Sequence, residues 1–273
     1  MGLGPFDLHG TEFLMLYAAL GLVAVIASLL IPPFLRPEGR SGRPADEDEL
    51  ALLAGGKQRF AEAVTVRLLA AGAAIVQSGG TLQIRDPRGG RTLAERRVVA
   101  LSSPVSWTEI TETLTGPAET SERRLEEKGL LLDKATALQM RLIQTAPLAL
   151  LLAFGLAKWV IGSMRDRPVG LLSGLLIMTF FAALLRYGKL DRRTRAGKQA
   201  IAEARAEAAR LRRAMPTDEA ALAVALFGTS VLAGSYFSDF HRMRSSSGSG
   251  DSGSSGDSGS GGCGGGGCGG CGS

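Results

Sequence analysis

At 273 residues the chain has room for one or two domains, and its charged fraction of 21% is only slightly below a soluble average, so its apolar content is concentrated in runs. The net charge of +5 is also local: residues 46–133 carry 11 basic and 14 acidic groups, whereas residues 186–215 carry 10 basic and 3 acidic. That balance argues against nucleic acid as a partner, which selects a basic folded part, and the absence of Asn excludes an N-glycosylation sequon.

Residues 1–12 contain Asp7 and Glu12 and neither Lys nor Arg, unlike the positive start of a secretory signal. Residues 13–31 follow as 19 uncharged positions. At 1.5 Å per residue they reach about 28 Å, enough to cross a hydrocarbon core of roughly 30 Å. Arg36, Arg40 and Arg43 come next, so the positive-inside rule places the N-terminus outside and the following residues in the cytoplasm. Pro32-Pro33 is expected to end this first transmembrane helix at the membrane edge.

Residues 32–45 read as a linker, and residues 46–133 as a small α+β cytoplasmic segment. Asp46 or Asp48 is placed to cap a short helix that Gly55-Gly56 stops. A second helix, 58–71, carries Phe60, Val64, Leu68 and Ala71 on one face. Short strands at 74–77 and 81–85 flank Ser78-Gly79-Gly80 as a hairpin. Residues 93–101 read as helical, Ser106 and Glu109 form a capping-box pattern for a short helix, and Pro117 is expected to open another that ends at Gly129.

Two stretches echo each other. Residues 67–76 and 124–133 each pass from a helix end through a glycine, Gly72 or Gly129, into an apolar strand. The pattern is winged-helix-like and in tandem, the second unit abbreviated. Its functional reading is DNA binding, and its plain reading is a protein-interaction or spacer module. The second unit's third helix carries Glu119, Glu122, Glu126 and Glu127 against Arg123, Arg124 and Lys128, which disfavours a phosphate-facing role, so no nucleic acid is expected.

Two further uncharged runs, 146–157 and 169–185, form an apolar hairpin, read as transmembrane helices over 146–164 and 169–185. Lys158 sits in the first, either as a functional intramembrane charge or as a snorkelling anchor beside Trp159, and the second is the simpler reading. Only Arg165 and Arg167 lie in the link between the arms, whereas Arg186, Lys189, Arg192, Arg193, Arg195 and Lys198 follow the second arm. The asymmetry again sets the downstream side in the cytoplasm. Residues 186–215 then form a basic cytoplasmic helix with a narrow stripe of Ile201, Ala204, Ala208 and Leu211, suited to a lipid surface, a coiled coil or packing on the middle segment. Residues 217–240 hold a further apolar helix, Ala-rich and weakly hydrophobic, that reads as a buried helix in preference to a fourth span.

The tail, residues 245–273, contains 14 Gly, 10 Ser, 3 Cys and 2 Asp and is expected to be disordered. As a flexible coil it reaches roughly 30 Å. Cys263, Cys268 and Cys271 are the only cysteines, so no disulfide framework holds the body. They are the candidate site: a solvated spacer with incidental thiols, soft-metal capture of Cu(I) or Zn, or modification sites for another enzyme. Three thiols are one short of a closed zinc site, and His241 is distant in sequence. Glycine fingerprints at 248–253 and 259–264 follow no strand and open no helix, so they carry no dinucleotide reading. With His9 and His241 the only histidines, and no nucleophile elbow, zinc-protease motif or P-loop, no catalytic residue is predicted and the chain reads as a non-enzyme.

Several motifs recur in one order: Gly4-Pro5-Phe6-Asp7-Leu8, Leu52-Leu53-Ala54-Gly55-Gly56, Glu127-Lys128-Gly129-Leu130-Leu131, Arg167-Pro168-Val169-Gly170, Arg193-Thr194-Arg195-Ala196-Gly197, Val224-Ala225-Leu226-Phe227-Gly228 and the tail. Together they resemble an uncharacterised bacterial membrane-protein family with a conserved membrane domain and a low-complexity Gly/Ser/Cys-rich C-terminal tail. The resemblance implies a multi-pass protein of the bacterial inner membrane. It also implies a setting similar to that of substrates or companions of iron-dependent peptide-modifying oxidases, which would act on Cys263, Cys268 and Cys271. The expected fold is a mainly α membrane protein with three transmembrane helices, and its expected partners are the lipid bilayer and a peptide-modifying enzyme or another membrane protein. The leading functional expectation is a binding or scaffold protein whose tail presents thiols. The alternatives are a substrate of Cys modification linked to copper handling, and a membrane-tethered transcriptional regulator.

Overall fold

The computed structural model describes residues 10–40, 42–77, 79–164, 170–188, 190–212 and 215–247. Over these residues the chain is mostly helical, in the order α1 (Gly10–Leu35), α2 (Glu47–Ala70), β1 (Ala74–Gln77), β2 (Thr81–Ile84), α3 (Leu93–Val99), α4 (Trp107–Glu127), α5 (Lys134–Ser163), α6 (Gly170–Gly188), α7 (Arg195–Glu207), α8 (Ala220–Phe227) and α9 (Ser238–Ser247). By length and composition, three of the described helices can cross a membrane: Glu12–Leu35 within α1, all of α5 and all of α6.

The three apolar helices form one bundle. Phe13, Tyr17 and Ala24 of α1 pack with Leu148 and Leu151 of α5 and with Leu172 and Leu176 of α6. Successive contacts along α1 run backwards along α5, from Phe13 on Phe154 to Gly21 beside Leu151, so these two helices are antiparallel. Along α6 they run forwards, from Tyr17 on Thr179 to Ser28 on Arg186. Leu35, Lys134 and Gly188 therefore share one end, and there the chain enters a second body.

That body is a helical domain built from both sides of the bundle's sequence. Its core takes Leu53, Phe60, Val64 and Leu68 from α2, Val98 from α3, and Ile110, Leu114 and Leu125 from α4. The same core takes Ile201 from α7, Val224 from α8 and Phe240 from α9. Residues 186–215 and 217–240, separate pieces in the sequence reading, thus close the core that residues 46–133 begin. Of the three readings of the 201–211 stripe, packing on the middle segment is the one seen, with Ile201, Ala208 and Leu211 buried.

Glycine sets the shape of α2. Gly55 and Gly56 leave helical geometry, Gly56 at φ +70°, and divide α2 into two helices, 47–54 and 57–70. Helix α8 packs into the angle between them. Ala51, Ala63 and Ala225 meet there with no exposed surface, and their short side chains allow the close approach. The apolar run after residue 217 is therefore an eight-residue buried helix, ended by Gly228 at φ +91°, and far too short to span a bilayer.

Two boundaries differ from expectation. Helix α4 continues through Pro117 to Glu127. Ile110, Leu114, Pro117, Ala118 and Leu125 form one buried stripe at helical spacing, and its burial outweighs the single hydrogen bond that the proline removes. Likewise α1 continues through Pro32-Pro33 to Leu35. Both prolines fall in its last turns, and the Ser28 carbonyl that Pro32 leaves bare finds another donor in Arg186 of α6.

A two-stranded antiparallel sheet pairs Ala74 with Ile84 and Gln77 with Thr81. At the second echo, Leu131 forms an isolated bridge with Arg193.

Candidate functional site

Cys263, Cys268 and Cys271, the predicted thiol site, lie outside the described residues, as do His9 and the expected disorder from residue 248 onward. What the structure describes is the root of the tail. Helix α9 ends at Ser247, and Arg244 holds it in place. The Arg244 guanidinium donates from Nε to Glu62 at 3.2 Å and lies 4.1 Å over the ring of Trp107. Both ion partners are 7% exposed at the side chain, so the pair is a buried one. Phe240 and Trp107 stack edge to face, 6.0 Å apart. The last described turn is thus pinned to α2 and α4 at once.

Glu62 also takes Arg59, 3.4 Å away. Burial lowers the Arg59 pKa; Glu62 opposes the shift, and the nearby charges of Arg205 and Arg193 add to it. These arginines cap helix ends: Arg59 donates to the Val224 carbonyl, Arg205 to Leu226 and Arg193 to Ala54.

A second polar centre joins the bundle to the domain. Asp191 accepts Arg36 at 3.1 Å and Lys198 at 3.0 Å, together with the backbone N–H of Arg193. Burial alone would raise its pKa, but these hydrogen bonds, with the charge of Arg193, hold the carboxyl below its ordinary range. Around it, residues 192–196 run as a clip. Leu132 N–H donates to the Arg192 carbonyl, Thr194 N–H to Leu130, and the Thr194 hydroxyl to Gly129. Arg195 and Ala196 N–H groups donate to Pro37 and Glu38. Thr194 also caps α7. A Cβ at Gly197 would collide with the Leu130 carbonyl, so this crossing requires glycine. Two of the sequence motifs, 127–131 and 193–197, are therefore the two halves of one contact.

The bundle holds polar groups of its own. Tyr17 donates to Thr179 at 3.2 Å. Trp159 donates from Nε1 to Ser173 at 3.0 Å, and the Lys158 ammonium lies 4.9 Å from the Phe13 ring centre. Lys158 thus packs on an aromatic ring near the far end of the bundle.

On the domain surface, Glu119, Glu122, Glu126 and Asp133 line a groove of about 240 Å³ with Arg123 and Lys134. Three of these acids are ion-paired, Glu119 with Lys57 and Glu122 and Glu126 with Arg192, and Asp133 caps α5. Among the described residues no group of three or more His, Cys, Asp or Glu could hold a metal ion. His241 meets the Thr229 hydroxyl at 3.4 Å. Comparisons with family models, curated proteins and solved structures return no match.

Sequence reasoning did not single out Glu62, Asp191 or Arg244. A signal existed for Glu62, a lone acid among Phe60, Ala61, Ala63 and Val64 on a helix that is otherwise apolar there.

Proposed function

We propose that this chain is an integral membrane scaffold that presents a thiol-bearing tail from a fixed root, in the manner of the bacterial family it resembles. The observation that carries the reading is the anchoring of α9: a buried ion pair and an aromatic stack are a costly way to hold a helix whose sequel is Gly, Ser and Cys. A fixed root gives the three cysteines a defined volume of search around the domain, on the scale of their roughly 30 Å reach. Such a tail suits capture of Cu(I) or Zn by Cys263, Cys268 and Cys271, or delivery of those thiols to another protein. The positive flanks at the domain end of the bundle, Arg36, Arg186, Arg192 and Arg193 among them, support a cytoplasmic domain and tail and an N-terminus outside, in the inner membrane.

The second reading makes the tail a substrate for a Cys-modifying enzyme linked to copper handling, and rests on the resemblance to a family with Cys-containing tails. The third, a membrane-tethered transcriptional regulator, rests on α2, β1 and β2, which support a winged-helix-like first unit. The acidic face of α4 counts against it.

The test is labelling of the full chain with a membrane-impermeant maleimide on intact spheroplasts, on lysed membranes, and after denaturation with chelator. Labelling only after lysis is the expected result. Labelling of intact spheroplasts would place the tail outside and overturn the sidedness. Thiols silent even after denaturation and chelation would be covalently modified, and the substrate reading would replace the scaffold.

A further inference from the structure

Most guanidinium groups at the junction or in the domain core meet carboxylates: Arg36 meets Asp191, Arg67 meets Asp48, Arg192 meets Glu126 and Arg244 meets Glu62. Arg141 does not. Its Nε–H is buried with no hydrogen-bond partner. Among the described residues its charge has the ring of Tyr187 for company, 5.8 Å from ring centre to Cζ, and no carboxylate. An uncompensated cation beside apolar surface is expensive unless a counter-charge arrives from outside the chain.

Its place indicates what that counter-charge is. Arg141 stands little more than one turn before the uncharged run of α5, and Tyr187 follows the uncharged run of α6. Both residues therefore lie where the bundle passes from hydrocarbon to headgroups, the level at which tyrosine and arginine anchor. Buried Gln144 ties the two helix ends together by donating to the Arg186 carbonyl at 2.9 Å, so the pair is held ready. Around Arg141 the surface is apolar. Leu142 and Ile143, which follow Arg141 toward the uncharged run, are 57% and 37% exposed, and they extend the lipid-facing side of α5 up to the charge. A free phosphate would satisfy the guanidinium and leave these side chains bare. An amphiphile covers both.

We propose that Arg141 and Tyr187 form the headgroup site for one anionic phospholipid at the domain end of the bundle. The half-buried guanidinium takes the phosphate, the tyrosine ring holds the guanidinium from behind, and the acyl chains lie along Leu142 and Ile143 on the hydrocarbon side of the charge.

The experiment uses the full chain in nanodiscs of phosphatidylcholine with a minor share of phosphatidylglycerol, and native mass spectrometry to count the phosphatidylglycerol retained through detergent exchange. Retention by R141Q is expected to fall about fivefold, the order of one basic residue at an anionic surface. R141K is expected to retain more than R141Q, and R123Q, in the acid-lined groove of the domain, to match the unaltered chain. R141Q and the unaltered chain melting alike in pure phosphatidylcholine would assign the loss to the site. Equal retention by R141Q overturns the proposal. So does displacement of the lipid by excess inorganic phosphate, which would make this a site for the free anion, and so does a loss shared by R123Q, which would make it a diffuse charge effect.

Discussion

Arg186 takes the carbonyl that Pro32 leaves empty. In an uninterrupted helix the N–H of residue 32 would donate to the Ser28 carbonyl; proline has none. The Arg186 guanidinium from α6 donates to that carbonyl instead, at 3.1 Å from Nε and 2.8 Å from the terminal nitrogen, and from Nε to the Ser28 hydroxyl at 3.0 Å. A defect in one apolar helix thereby becomes a bond to another. A double-mutant cycle checks this. R186Q is expected to cost about 1.5–3 kcal/mol, as for a lost hydrogen bond to a charged group. In a P32A background the Ser28 carbonyl regains its helical donor, and the same substitution is expected to cost less. Equal costs in both backgrounds, by unfolding in mixed detergent, would separate the arginine from the proline.

Close packing should make Gly155 the least tolerant position in the bundle. A Cβ there would lie 2.6 Å from the Tyr17 ring and 2.8 Å from Leu176. G155V is expected to lower stability by about 1–3 kcal/mol through overpacking. Y17F, which removes only the bond to Thr179, is expected to cost about 0.6 kcal/mol, the usual scale between membrane helices. Reversal of that order would mean that hydrogen bonding, rather than helix approach, holds α1 in place.

The buried pair at the tail root predicts an asymmetric response. R244M leaves Glu62 with Arg59 for compensation, whereas E62L strands both Arg59 and Arg244. Breaking a buried pair costs about 3–5 kcal/mol, and E62L is expected at the upper end. Limited proteolysis should then show cleavage advancing from the tail into residues 238–247 in R244M, with the domain core still protected. A cleavage map identical to that of the unaltered chain would remove Arg244 as the anchor.

Acid should loosen the junction through Asp191. Its pKa in the folded chain lies below the ordinary 3.8. A carboxyl depressed on folding adds stability that is complete above its unfolded value and is lost as pH falls through the folded one. The contacts with Arg36 and Lys198 should therefore persist at neutral pH and fail only in strongly acidic solution. D191N is expected to be less stable at pH 7 and to converge with the unaltered chain only in strongly acidic solution, once the carboxyl is protonated in both the folded and unfolded states. A constant difference between the two at every pH would assign the effect to packing.

The apolar runs were legible because the period and length of a membrane helix are local properties of a sequence. Residues 13–31, 146–164 and 169–185 needed nothing but composition to be found. Local capping chemistry was legible for the same reason: Asp46, one of two candidates, caps α2, Ser106 caps a helix at the expected start though a longer one, and Gly55-Gly56 breaks the chain between two helices. Where the reading stopped short, at Pro117 and Pro32-Pro33, a local rule about proline met a buried stripe or a donor from another helix. The candidate thiols were visible as residue types, while the residues that fix their root were not, because Glu62 and Arg244 stand 182 positions apart.

The sequence by itself therefore determined the membrane frame and the chemical character of the tail, both set by neighbours along the chain. Tertiary structure alone decided that residues 46–133 and 190–247 are one body, with α8 lodged in the bend of α2, Asp191 clasping Arg36 and α9 fastened to the core. The physical reason is distance along the chain. An alanine-rich run carries too little hydrophobicity to declare where it is buried, and a charge shows only its sign. Which groove the one fills, and which counter-charge the other meets, is settled when the bundle brings both flanks of its hairpin to the same end.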